Sequence, residues 1–379
     1  MKLLRITVNN FKNCKENFTI DFVSKASKTE EDKLYELQEI APGLFTFNTM
    51  AFIGKNASGK TTAIDLIYSC YSLMDDFRLS RLSDFKTFNN DEQLEIVFYH
   101  EGSIYKYQTV LKVSNLRSYA IFVDEHLYFK KYYKAKVKKI FDDEDYEEYP
   151  TPDSLPTDTS KLYYVFKDNG CRCIYCNINS RDTVSEYDFA FDLIEQFQVP
   201  TEIFENILKL FDSNVKHLKK VNDDFYELKY NDTLQFLSSS VLYNFLSSGT
   251  TKGIAIYLAM VVSLYNGIDL IIDEIENHFH KTLVENMISL YKDPSINKKH
   301  ATLIFTTHYC ELLDLFNRQD NIWITKADKK VYIENMYEKH KLRSDAIKSK
   351  QFFNNTFDTA VNYDDLMSLK KDLKRGAPK

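Results

Sequence analysis

The sequence predicts an α/β protein built on a mixed sheet flanked by helices, its second half reading as parallel. Three runs carry that expectation. "LFTFNTMAFIG" (44–54) passes through glycines into a helical pattern, "GIDLIIDEIE" (267–276) ends in acids, and "ATLIFTTH" (301–308) ends in a histidine. Short continuous apolar runs read as strands buried on both faces, and the helical patterns between them supply the crossovers a parallel sheet needs.

Taken in order, Leu4-Ile6-Val8 and Phe18-Ile20-Phe22 alternate as two strands joined by a polar turn. Residues 44–54 read as one buried strand, and periodicity turns helical in "GKNASGKTTAIDLIYSCYSLM". "QLEIVFYHEGSIYKYQTVLKV" (93–113) reads as two strands about a Glu-Gly-Ser turn. The acidic "DDEDYEEYPTPD" (142–153) reads as an exposed loop, and helices return at 189–197 and 202–213. The division expected is 1–90, 91–235 as an inserted α/β lid or arm, 236–330, and a C-terminal extension 331–379.

The chain has 379 residues, 44% of them hydrophobic, enough for a core serving more than one lobe. A net charge of −6 argues against an overall field that attracts nucleic acid or membrane, so partners must be argued from sites. Six cysteines and the lack of a signal-peptide pattern fit a reducing compartment, and no apolar run approaches the ~20 residues that span a bilayer. The expectation is a cytoplasmic protein with no membrane partner.

"GKNASGKT" (54–61) fits the phosphate-binding pattern G-x-x-x-x-G-K-[ST] between a strand and a helix. Gly54, Lys55, Asn56, Ala57, Ser58, Gly59, Lys60, Thr61 and Thr62 are the candidate nucleotide-binding residues. Backbone N–H groups would surround phosphate oxygens, Lys60 would reach the β- and γ-phosphates, and the Thr61 hydroxyl would bind Mg²⁺. Asp273, at the end of the second run, is the other metal candidate, and Glu274 is placed to activate water as general base. Glu276 reads equally as a further site residue or as the first-turn acid of the next helix. His308 at its strand end can hydrogen-bond the γ-phosphate or the water. Ser247, Ser248 and Gly249, in "NFLSSGTTKG", form a second candidate anion-binding helix start, which would close the nucleotide between two subunits if another copy of the chain presents it.

The order of phosphate loop, small-residue stretch, Asp-Glu strand end and histidine strand end resembles the ATP-binding cassette class of P-loop ATPases. "ITVNNFKN" near the start is similar to the RecF, SMC and OLD branch. "FLSSGTTKG", "IDEIENHFHKTL" and "IFTTHYCELLD" are closer to stand-alone OLD-like and AbiL-type abortive-infection ATPases. The resemblance spans roughly residues 1–75 and 235–330. It implies an ABC-type ATPase head that dimerises around Mg²⁺ and ATP, with Ser247 and Gly249 acting across the dimer. By the same analogy it would regulate a separate effector, a toxin or nuclease, in anti-phage defence. The alternative is a DNA-repair or DNA-scanning ATPase, which leaves nucleic acid open as a partner. The sequence departs from the pattern at Ser248, where glycine is usual, and at His280, where an aspartate is usual. Only Gln93 and Gln108 stand, by position alone, for the glutamine that usually senses the metal.

Three cysteines, Cys171, Cys173 and Cys176, fit a strand better than a zinc site, which takes four ligands. The basic stretch Lys130–Lys139, with Tyr132 and Tyr133, could bind single strands, but reads better as a solvated face paired with the acidic run that follows. The segment after His308 lacks a spaced Glu and Asp-x-Asp pattern, which argues against a built-in nuclease.

Overall fold

The computed structural model describes residues 1–79, 88, 91–113, 120–151, 154–168, 171–177, 184–277, 280–340, 342–343, 346–358 and 363–375. The chain opens with β1 (Lys2–Asn9), β2 (Phe18–Asp21), α1 (Glu30–Tyr35), β3 (Leu37–Ala41), β4 (Leu44–Phe47), β5 (Thr49–Ile53) and α2 (Lys60–Asp76). Next come β6 (Glu92–His100), β7 (Ser103–Val113), β8 (Ala120–Lys131), β9 (Glu147–Glu148), α3 (Tyr163–Phe166), β10 (Cys173–Asn177), α4 (Val184–Phe197) and α5 (Thr201–Phe211). The remainder is β11 (Val215–Lys220), β12 (Phe225–Tyr230), β13 (Thr233–Ser238), α6 (Ser239–Phe245), α7 (Ser248–Asn266), β14 (Asp269–Asp273), α8 (Lys281–Lys292), β15 (Leu303–Thr307), β16 (Ile322–Ala327), β17 (Val331–Asn335), α9 (Met336–His340), α10 (Lys348–Phe353) and α11 (Tyr363–Arg375).

The central sheet has the order β10-β14-β15-β5-β16-β17. It is parallel except at β17, which pairs antiparallel with β16. Every residue of β5, β14 and β15 is buried, because helices cover both faces. One core gathers Ile272, Phe305 and Ile324 with the apolar residues of α7; another gathers Phe52, Ile271 and Ile304 with those of α2. A second sheet, β2-β1-β6-β7-β8-β9, is antiparallel throughout, and β11-β12-β13 form a third. No single helix among the described residues is long and apolar enough to cross a membrane.

Two expectations change. Residues 44–54 are two strands, not one: Leu44–Phe47 pairs with β3 as a hairpin, and only Thr49–Ile53 enters the central sheet. Asn48 is the break, since its side chain donates to the Tyr35 carbonyl while its own carbonyl accepts from Leu303 N–H. The segment 91–235 is shared among three sheets and is not one inserted unit. β6 pairs with β1, so residues 92–131 continue the N-terminal sheet, and β10 lies beside β14 in the central one. Only α4, α5 and β11–β13 form a group of their own, packed against α7 through Phe204, Leu208, Tyr226 and Leu228.

Cys173 and Cys176 lie on the edge strand β10, and Cys171 lies just before it. Cys171 and Cys173 pack in one core and Cys176 in the other, and burial pushes the Cys176 thiol up to about 12. Among the described residues, no group of three or more His, Cys, Asp or Glu side chains is placed to hold a metal ion. The basic stretch meets the acidic run: Lys136 pairs with Asp145 and Lys139 with Glu144 at 3.5 Å, while Lys130 donates to the Asp142 carbonyl; Lys106, on β7, pairs with Asp143 at 2.7 Å. Pro152 and Asp153, at the end of the acidic run, lie outside the described residues.

Candidate nucleotide site

β5 ends at Ile53, and the chain turns through residues 54–59 into α2. Gly59, which caps α2, has φ +99°, and a Cβ there would lie 2.3 Å from a Val331 methyl carbon. A Cβ on Gly54 would lie 2.3 Å from Thr325 Oγ1 and 2.5 Å from the Thr325 carbonyl. The glycines therefore let β16 and β17 back directly onto the loop. Ser58 faces the same way, its buried hydroxyl 2.6 Å from Thr325 Oγ1, so its side chain braces the loop.

The cleft in front has a volume of about 730 Å³ and is lined by Asn56–Thr62 together with Glu274, Asn277, His308 and Val331. No side chain caps α2, which leaves its first N–H groups pointing to the cleft. Lys60 Nζ donates to the carbonyls of Gly54 and Lys55 at 3.0 and 3.2 Å. Burial lowers its pKa, against the pull of Glu274, Glu276 and Asp273.

Asp273 is buried at the end of β14. Its two oxygens accept from the Thr61 hydroxyl at 2.9 Å and from the Thr306 hydroxyl at 2.5 Å. Burial raises its pKa, and those two hydrogen bonds lower it. Thr306 also accepts the Glu274 N–H, at 2.6 Å, which holds Glu274 at φ +53°. That left-handed turn is costly for a residue with a Cβ and swings the carboxylate out of the strand direction toward the cleft. Asn277 Nδ2 then donates to Glu274 Oε2 at 2.5 Å.

His308 closes the arrangement. Its Nδ1 lies 3.4 Å from Lys60 Nζ and its Nε2 lies 3.5 Å from Glu274 Oε1. Nδ1 thus faces the lysine ammonium and Nε2 faces the carboxylate. The His308 N–H donates to Glu276 Oε1 at 2.5 Å, and Glu276 is 6% exposed. Of the two readings of Glu276, the helix-start one is excluded, because α8 begins only at Lys281 and His280 caps it by accepting from Thr282 N–H.

The fold thus brings Lys60, Thr61, Asp273, Glu274 and His308 to the carboxyl ends of neighbouring parallel strands, where ligands of open α/β sheets bind. Ser247, Ser248 and Gly249 are not among the residues lining this cleft. Ser247 is the N-cap of α7 and accepts from Thr250 N–H at 3.1 Å, and both serines are exposed. Gln93 and Gln108 also lie elsewhere, against Asn9 and Glu95 on β1 and β6. Thr306, Thr325, Val331 and Asn277 were missed by sequence reasoning. Thr306 stands two residues before His308 in "IFTTH" and Asn277 three after Glu274 in "IDEIEN", within reach of those motifs; Thr325 and Val331 carry no local signal.

The donor set fits a Mg²⁺ ion: a hydroxyl and a carboxylate, both hard oxygen ligands, converge at the start of the phosphate-loop helix. Fold and site together define a P-loop ATPase. The chain belongs to the family described as "AAA domain, putative AbiEii toxin, Type IV TA system", whose profile matches residues 50–314. Two solved structures are similar. The SMC head domain from Thermotoga maritima is 12% identical with a TM-score of 0.39, and the match covers 88% of this chain and 99% of that one. An SmcHead bound to the C-winged helix domain of ScpA is 13% identical with a TM-score of 0.48, and the match covers 90% and 100%. No curated protein matches the chain.

Proposed function

We propose that the chain binds and hydrolyses ATP between two copies of itself, and that this cycle controls a separate effector, a toxin or nuclease, in anti-phage defence. The observation that carries the hydrolytic part is the gathering of Lys60, Thr61, Asp273, Glu274 and His308 around one open cleft.

In this reading the loop N–H groups and Lys60 hold the β- and γ-phosphates. Thr61 and Asp273 would hold Mg²⁺, whose positive charge would offset the negative charge on the phosphate oxygens. Glu274, turned outward by its left-handed backbone and steadied by Asn277, takes a proton from water as the water oxygen attacks the γ-phosphorus. The bond from that phosphorus to the bridging oxygen breaks, and ADP leaves with the bridging oxygen. His308 holds the water side through Nε2.

The two-copy arrangement is supported by the exposed start of α7. Ser247, Ser248 and Gly249 lie outside their own chain's cleft, which supports a reading in which a second copy presents them to the γ-phosphate. The defence role is supported by the resemblance to OLD-like and AbiL-type chains and by the family's description, which names a toxin of a type IV system.

Glu274→Gln tests the chemistry: turnover falls about 10²-fold or more, and ATP now holds a stable dimer on size-exclusion chromatography. Unchanged turnover would remove Glu274 as the base. Growth arrest caused by this chain alone would move the toxic activity into it and overturn the separate effector.

A further inference from the structure

The three-stranded sheet β11-β12-β13 covers the core with Val215, Leu218, Tyr226 and Leu228 and has two unlike edges. β11 carries Lys216, Lys219 and Lys220, and its register with β12 slips between Val215 and His217. Lysines and bulges of this kind keep an edge from pairing with other chains. β13, "TLQFLS", has no charge and no proline, and its register with β12 is unbroken from Phe225↔Ser238 to Tyr230↔Thr233. Among the described residues, no further strand pairs with it.

The outer face of this edge carries large apolar side chains, with Glu227 and Lys229 of β12 opposite Phe236 and Leu234. Leu234 is 52% exposed and Phe236 62%, and Phe225, diagonal to Phe236 on β12, is 47% exposed. Open backbone groups beside exposed large side chains form a template for an added strand. Among the described residues, the same sheet protects one edge and leaves the other unpaired by any strand.

We infer that β13 is the docking edge for an extended segment of a separate polypeptide, which adds as a fourth strand and seats apolar side chains on Leu234 and Phe236. A second copy is the poorer occupant. Self-pairing of a six-residue strand covers far less than the ~800 Å² per partner that stable association needs, whereas it is the size of a strand-addition site. The site stands on this geometry alone, and only its consequence rests on the proposed ATP cycle. Ser238 leads directly through α6 to Ser247, the cap of the helix start that would meet ATP. A strand bound at β13 therefore stiffens the segment that presents Ser247.

The test is selection of random dodecapeptides displayed on phage, with the full-length chain as bait, followed by anisotropy titration of the selected peptides and hydrogen exchange of their complexes. Alternating apolar and polar peptides that protect the β13 amides are expected. Leu234→Lys and Phe236→Lys should each weaken them by about tenfold or more and leave ATP turnover without peptide unchanged. Binding indifferent to both substitutions, or protection elsewhere, overturns the site. Self-association of the unmodified chain that Phe236→Lys abolishes assigns the edge to a second copy and overturns the separate partner. Because binding is read without ATP, failure here is distinct from failure of the hydrolytic reading, which the Glu274→Gln measurement decides.

Discussion

Two helices in this molecule begin with glycine and small hydroxyl residues, and they begin differently. α2 starts at Gly59 with no side-chain cap, in a cleft, with Lys60 and Thr61 facing the ends of β14 and β15. α7 starts with Ser247, whose hydroxyl already accepts the Thr250 N–H, on an exposed surface. The first helix leaves its N–H groups for a ligand, whereas the second satisfies one itself. The start of α2 therefore opens into its own chain's cleft, whereas the start of α7 lies outside it.

They are also held differently. Strands β16 and β17 back the loop before α2, with Thr325 and Val331 against its glycines. The first turns of α7 are held by a neighbouring helix, through Tyr187 to Thr251 at 2.8 Å and Glu186 to Lys252 at 3.9 Å.

Lys60→Ala gives the largest effect and separates site from scaffold. Turnover should fall about 10³-fold, while the melting temperature stays level or rises, since burial already disfavours the lysine charge. An unfolded variant would mean that the lysine, held by the Gly54 and Lys55 carbonyls, also carries the loop.

Glu186 gives the next effect and probes the other helix. Burial raises its pKa from 4.5 to about 7, against the pull of Lys252. The folded state then keeps a proton that the unfolded state loses above about pH 4.5, so the contribution is full below that pH and is lost as pH rises through 7. The loss is on the order of 3 kcal/mol at most. Urea unfolding of the wild type and of Glu186→Gln at about pH 5 and pH 8 isolates it. The wild type should lose stability relative to the variant on the way up, and a constant difference would mean that the carboxylate is solvated and does not clamp α7.

The same contrast explains what the sequence made legible. The phosphate loop, Asp273, Glu274 and His308 follow from short patterns at strand ends, and their convergence follows from a parallel sheet. The supports did not follow. Ser58 meets Thr325, and Lys2 meets Asp269, across more than half the chain, and no local period marks such pairs. Asn48 divides an apolar run because of carbonyls and amides contributed by Tyr35, Glu36 and Leu303. The strands at 92–131 alternate legibly, but their pairing to β1 is a long-range choice.

Ser247 gives the smallest effect and the sharpest one, because a cap and a phosphate donor ask different things of one side chain. Ser247→Ala removes the acceptor for Thr250 N–H and should cost about 1 kcal/mol of stability. If it also meets a γ-phosphate across a dimer, turnover falls about tenfold in addition. Ser247→Asp separates the two. A carboxylate caps a helix as well as a hydroxyl does, so stability returns, but it repels phosphate, so turnover drops below that of the alanine variant. Thermal unfolding and ATP hydrolysis of the three proteins read both properties. Recovery of turnover together with stability in the aspartate variant would make Ser247 a cap alone, and α7 would then begin as an ordinary helix whose resemblance to the start of α2 is compositional.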